Sequence, residues 1–174
     1  MSFYRNRFHT AVYETRGDNQ FTLVWQDSMP DSHYFIWGDF DLDGKKDFFT
    51  GHGGSVVGWE CVTNDSYQEI FVDTMPEYNN YDIFMGDDLD GNGKPELFFT
   101  CVNYASSKMY LYCYETTGDN QFSYFLIDSA SIPLSTFTQA SICGDVDADG
   151  VEEIIWANFN RWYIYKATGI HHYQ

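Results

Sequence analysis

Three stretches of this chain put oxygen-bearing side chains on alternate residues, then a glycine, then one more acid. The first is Asp39, Asp41, Asp43, Gly44 and Asp47. The second is Asp88, Asp90, Asn92, Gly93 and Glu96, and the third is Asp145, Asp147, Asp149, Gly150 and Glu153. All fit D-x-D-x-[DN]-G-x-x-[DE]. A hard cation such as Ca²⁺ takes roughly 6–8 oxygens at about 2.3–2.6 Å. Side chains at positions 1, 3 and 5 reach one centre when the loop curls round it, and the acid at position 9 closes the cage. Glycine at position 6 allows the positive φ of the sharp turn. Position 7, which is Lys45, Lys94 or Val151, offers its backbone carbonyl, so its side-chain type is expected to be free. Without a cation, carboxylates this close repel and raise one another's pKa values.

An EF-hand is the competing reading. It requires a bidentate Glu at position 12, where this chain has Thr50, Phe99 and Trp156. It also requires flanking helices, whereas the flanks here read as strands. Each loop follows an apolar run ending in Gly-Asp: YFIWGD (34–39), YDIFMGD (81–87) and QASICGD (139–145). The second carries one extra residue, Asp87, ahead of its loop. After each loop come DFFTG (47–51), ELFFTC (96–101) and EIIWAN (153–158). Third runs follow at 55–62, 108–115 and 161–168, and fourth runs at 67–74 and 122–129. The runs are short, β-branched and aromatic, with turn residues between them, and helical periodicity is absent.

Four short strands recurring at about 50 residues read as all-β propeller blades, each four-stranded and antiparallel. Residues 31–79 and 80–134 form two blades. Residues 135–174 form a partial blade with strands one to three. Residues 9–30 parallel 112–131, so 1–30 form a partial blade with strands three and four alone. The whole chain, 1–174, is expected to be one β-propeller segment of about three blade-equivalents. That alignment also absorbs Arg16-Gly17-Asp18, an integrin-type tripeptide: its counterpart is Thr117-Gly118-Asp119 in the same turn.

Composition narrows the function classes. The 174 residues include 15 Phe, 14 Tyr and 5 Trp, ample for a core, so disorder is not expected. The formal net charge of −17 with 9 basic residues in no run disfavours nucleic acid. Cys61, Cys101, Cys113 and Cys143 show no CxxC pair and read as small buried hydrophobes. No apolar run approaches the roughly 20 residues of a membrane span. MSFYRNRF has no apolar leader region, so an extracellular protein with this sequence would be a processed product or a fragment.

The three loops and their flanks resemble the FG-GAP/VCBS repeat family, whose members include the integrin α-subunit propeller. The resemblance implies Ca²⁺ in about three sites, ligated through Asp39, Asp41, Asp43 and Asp47; Asp88, Asp90, Asn92 and Glu96; and Asp145, Asp147, Asp149 and Glu153. Neutral Asn92 implies a weaker second site. Propellers typically have 4–8 blades, so this chain does not close a ring alone. Two readings stay open. It is a segment of a longer polypeptide, or copies associate, one chain's N-terminal strands completing another's C-terminal blade in a homo-oligomer.

The expected function is a non-catalytic, calcium-stabilised scaffold for binding or adhesion outside the cell or at its surface. Its partner is a protein or glycan. One alternative is a lectin-like propeller, with Trp59, Tyr104 or Trp162 as sugar-stacking candidates, each expected to be packed rather than free. Another is an accessory segment of a larger extracellular enzyme. No G-x-S-x-G, H-E-x-x-H or Cys/His dyad context is present. The final His171-His172 pair reads as a polar tail.

Overall fold

The protein is described by a computed structural model over residues 10–27, 32–74, 80–132, 141–158 and 161–174. Residues 1–9, read above as lacking an apolar leader, lie outside that description, as do the blade boundaries at 28–31, 75–79 and 133–140. Every regular element is a strand. No helix among the described residues is long and apolar enough to cross a membrane.

The strands fall into four antiparallel sheets in chain order. β1 (Ala11–Gly17) and β2 (Gln20–Gln26) form a hairpin. β3 (Ser32–Gly38), β4 (Asp47–His52), β5 (Ser55–Thr63) and β6 (Ser66–Thr74) form the first blade, paired in sequence order. β7 (Asn80–Gly86), β8 (Glu96–Asn103), β9 (Lys108–Gly118) and β10 (Gln121–Ser131) form the second. β11 (Ile142–Gly144), β12 (Glu153–Asn158), β13 (Arg161–Gly169) and β14 (His172–Tyr173) form the third. The third blade therefore has a fourth strand that the sequence reading omitted. Two residues are too short to show as a period-2 run, and His171 belongs to the turn before them rather than to a tail.

The aromatic and β-branched runs become strands because such side chains pack well on a pleated surface. β4 and β8 are buried along nearly their whole length, which explains why they read as continuous apolar runs rather than alternating ones. Blade one meets blade two through Ile36, Phe49 and Val56 against Ile83, Leu97 and Tyr114. Blade two meets blade three through Phe84, Phe98 and Leu111 against Ile154 and Trp156. One polar contact recurs at both seams. The Tyr114 hydroxyl donates to Asp73 Oδ2 at 2.9 Å, and the Tyr165 hydroxyl donates to Asp128.

All four cysteines are free; Cys101 and Cys113 are buried, Cys61 and Cys143 half-buried. Trp59 lies among aromatic rings, stacked on Phe48 at 6.1 Å. Tyr104, in the turn after β8, and Trp162, on β13, are exposed, contrary to expectation.

Candidate metal centres in three repeated loops

Gly38 stands directly before the first loop and Gly86 one residue further back from the second, ahead of Asp87, and the close approach of one side chain requires glycine at both; around Gly144, before the third loop, the space is open. A Cβ on Gly38 would meet the Phe40 ring at 2.8 Å, and one on Gly86 would meet Leu89 Cδ1 at 1.9 Å. In these two loops position 2 thus folds back under its own strand, and Phe40 and Leu89 are buried there, whereas Val146 of the third loop is exposed. That plug fixes the curl of the acids above it.

The same four internal hydrogen bonds form in all three loops. First, the position 6 amide donates to the position 1 carboxylate: Gly44 to Asp39 at 3.1 Å, Gly93 to Asp88 at 2.9 Å and Gly150 to Asp145 at 2.9 Å. Second, the position 5 amide donates to position 3: Asp43 to Asp41 at 3.2 Å, Asn92 to Asp90 at 3.1 Å and Asp149 to Asp147 at 3.2 Å. Third, the position 7 amide donates to position 5: Lys45 to Asp43 at 2.7 Å, Lys94 to Asn92 at 2.9 Å and Val151 to Asp149 at 3.0 Å. Fourth, the position 2 amide donates to position 9: Phe40 to Asp47 at 3.0 Å, Leu89 to Glu96 at 2.9 Å and Val146 to Glu153 at 3.0 Å. Position 6 has φ near +90° in each: 91° at Gly44, 87° at Gly93 and 89° at Gly150.

Each of these bonds engages one oxygen of its acceptor side chain. Carboxylate oxygens of positions 1, 3 and 9 then converge within 4.8 Å of one another: Asp39, Asp41 and Asp47; Asp88, Asp90 and Glu96; Asp145, Asp147 and Glu153. In the first loop Asp39 Oδ1 and Asp47 Oδ1 are buried with no hydrogen-bond partner. Such oxygens are costly unless something positive meets them. Asp47 is pushed up to about 7, first by burial and further by the charges of Asp41, Asp43 and Glu60, with the Phe40 amide opposing. Glu96 is likewise pushed up to about 7 by burial and by Asp90 and Glu115. The residues present therefore fit a hard divalent cation.

Position 5 behaves differently. Lys45 pairs with Asp43 at 2.7 Å and with Glu60 at 2.7 Å, holding the Asp43 carboxyl below its usual range. Lys166 pairs with Asp149 and lies 3.0 Å from Glu153. Asn92 donates its side-chain amide to Glu115 at 3.1 and 3.0 Å. Position 7 is also less free than expected: the Lys94 ammonium donates to the Thr116 carbonyl at 2.7 Å.

Each of the first two loops is capped by the strand three to four turn of the next blade. The Asn120 amide donates to Asp41 Oδ2 at 2.7 Å, and the His171 amide donates to Asp90 Oδ2 at 2.8 Å. Both residues have φ of 57°. Two further acid groups result: Asp41, Asp43, Glu60 and Asp119; and Asp90, Glu115 and His171. His171 Nε2 is 3.0 Å from Glu115 Oε2. These outer residues escaped sequence reasoning. In the strand ladders Glu60 pairs with Asp47 and Lys166 with Glu153, and Glu115 lies one residue beyond Tyr114, the partner of Leu97, so their shared position in the repeat was the available signal.

No curated protein matches the chain. The family model of the FG-GAP-like repeat matches residues 88–156, which spans the second loop, the second blade's outer strands and the third loop. Over these residues, less than half of the chain, the sequence is similar to an FG-GAP-like repeat, and the sheets there are four-stranded and antiparallel.

Proposed function

We propose that the chain is a non-catalytic propeller-type scaffold whose three loops each hold one Ca²⁺, and that it presents its surface for binding or adhesion outside the cell or at its surface. The observation carrying this reading is the threefold recurrence of one hydrogen-bond network that converges the oxygens of positions 1, 3 and 9. Extracellular modules hold Ca²⁺ with affinities of about 10⁻⁴–10⁻³ M, and we place these loops in that range. The ion's role is structural: it meets oxygens that the fold has already removed from water. Native mass spectrometry in calcium tests the reading. Three bound ions per chain are expected, and a chain that stays ion-free at millimolar calcium refutes it. The exposure of Tyr104 favours a second reading, sugar binding by ring stacking, which a glycan array tests.

A further inference from the structure

The two seams between blades share one design. The strand three to four turn of the later blade meets the loop of the earlier blade, and rings beside that turn enter the earlier blade's face. Phe122 lies 5.0 Å from Phe49 and 5.3 Å from Phe71. Tyr114, fully buried, lies 6.0 Å from Phe71.

The β1–β2 hairpin repeats the β9–β10 hairpin in register. Tyr13 pairs with Leu23, Thr15 with Phe21 and Gly17 with Gln20, as Tyr114 pairs with Tyr124, Thr116 with Phe122 and Gly118 with Gln121. The turns match as well: Asn19 has φ of 55° where Asn120 has 57°. Yet Tyr13 and Phe21, at the positions of Tyr114 and Phe122, are 58% and 67% exposed. The opposite end of the molecule shows the reciprocal vacancy. Ile36 and Phe84 are buried in the two seams, whereas Ile142, at the same place in blade three, is 55% exposed. Val56 and Leu111 are buried, whereas Trp162 is 66% exposed.

Charge selects between possible occupants of that face. In the first seam the turn residue Asp119 comes within 4.8 Å of Glu60, which the Lys45 ammonium pairs. In the second, His171 meets Glu115. In blade three the corresponding strand residue is Lys166. In the β1–β2 turn the residue corresponding to Asp119 is Asp18. The chain's own hairpin thus brings an acid to a lysine, and the Asn19 amide to Asp147, the counterpart of Asp41 and Asp90.

We propose that the β1–β2 hairpin of one copy docks on the exposed face of blade three of a second copy, forming a third seam head to tail. Tyr13 and Phe21 cover Ile142 and Trp162, Asp18 pairs with Lys166, and the Asn19 amide caps Asp147. A head-to-tail contact either closes into a ring or extends, and both outcomes display this seam.

Sedimentation velocity in calcium, over a concentration series, tests the proposal. The wild-type chain is expected to gain mass with concentration. Tyr13→Ser with Phe21→Ser, both at exposed positions, should weaken association at least about tenfold, as loss of central aromatic anchors does. Asp18→Lys should weaken it, and Asp18→Lys with Lys166→Glu should restore it. Circular dichroism checks that each variant keeps its strands. A wild-type chain that stays single up to about 1 mM, the weak end of measurable affinity, overturns the proposal. So does association that the serine variants leave unchanged. A chain that binds three ions yet stays single refutes this seam alone; one that associates without binding ions refutes the loop reading alone.

Discussion

Withdrawing calcium should lower the stability of this protein by an amount the loops themselves set. A ligand that binds only the folded state adds RT ln(1 + [L]/Kd), about 2.7 kcal/mol at a hundredfold excess, which for the affinities proposed above is calcium at about 10–100 mM. The three loops sit on different blades and share no ligand, so their contributions add to about 8 kcal/mol. For a chain of this size each kcal/mol moves Tm by about 2–4 °C. Chelation is therefore expected to lower Tm by about 15–30 °C, read by tryptophan fluorescence. A shift under about 3 °C, one kcal/mol or less by the same scale, would refute the reasoning.

The pH dependence of the ion-free protein gives the same argument a sign. Asp47 rises from an ordinary 3.8 to about 7, and Glu96 from 4.5 to about 7. A folded-state pKa above the unfolded value means that the folded chain keeps a proton the unfolded chain has lost. Stability from these groups is full below pH about 4 and is lost as pH rises towards about 7. The shifts correspond to about 3–4 kcal/mol each, which solvent near the loop mouths reduces to about 2 kcal/mol each. Asp43 and Asp149 move the other way, each held low first by its lysine, but both are exposed and contribute little. Calcium competes with those protons, so the gap between calcium-loaded and chelated melting should widen from pH 5 to pH 7. An ion-free Tm that climbs across this window contradicts the assignment of Asp47 and Glu96 as buried ligands.

Further outcomes follow from single positions. Asp47→Asn should remove one bound ion from the native mass spectrum and shrink the calcium-dependent Tm shift by about a third, since it deletes one of three independent contributions. Ala148, at position 4 of the third loop, has φ of 61°; Ala148→Gly should raise stability by up to about 1 kcal/mol in urea unfolding. Gly86→Ala would set a Cβ against Leu89 and should destabilise by about 1–3 kcal/mol. Phe49→Ala, at the seam of blades one and two, should cost about 3–5 kcal/mol.

The loops were legible because their chemistry is local. Positions 1, 3 and 9 are fixed by spacing along one turn, and the positive φ at position 6 shows as glycine in all three copies. Position 4 was not legible: Leu42, Gly91 and Ala148 share a left-handed backbone with φ of 66°, 77° and 61°, but only Gly91 announces it. Blade organisation was legible from repetition, strand by strand, apart from β14. What spacing does not show is what another blade brings. Nothing near Asp90 in sequence points to the His171 amide, which arrives from 81 residues away. Trp162 failed for the related reason that a strand's period says which face a ring occupies, not whether a neighbour covers it, whereas Tyr104 lies in a turn that has no such period.

That distinction links the ion to the architecture. Position 3 of a loop faces two ways: one oxygen accepts the loop's own position 5 amide, and the other accepts an amide from the next blade. Position 9 begins the buried second strand of its own blade. A cation held between positions 3 and 9 therefore ties the seam to the sheet. In the ion-free chain the same connection works in reverse, because repulsion between Asp41 and Asp47 strains the ligand that the next blade's turn grips. Calcium would then stabilise not only each loop but the stacking of blade on blade. Loop one, whose position 3 is already capped and whose position 5 is an acid like that of loop three, should hold its ion more tightly than loop three, whose Asp147 receives no amide from another blade among the described residues.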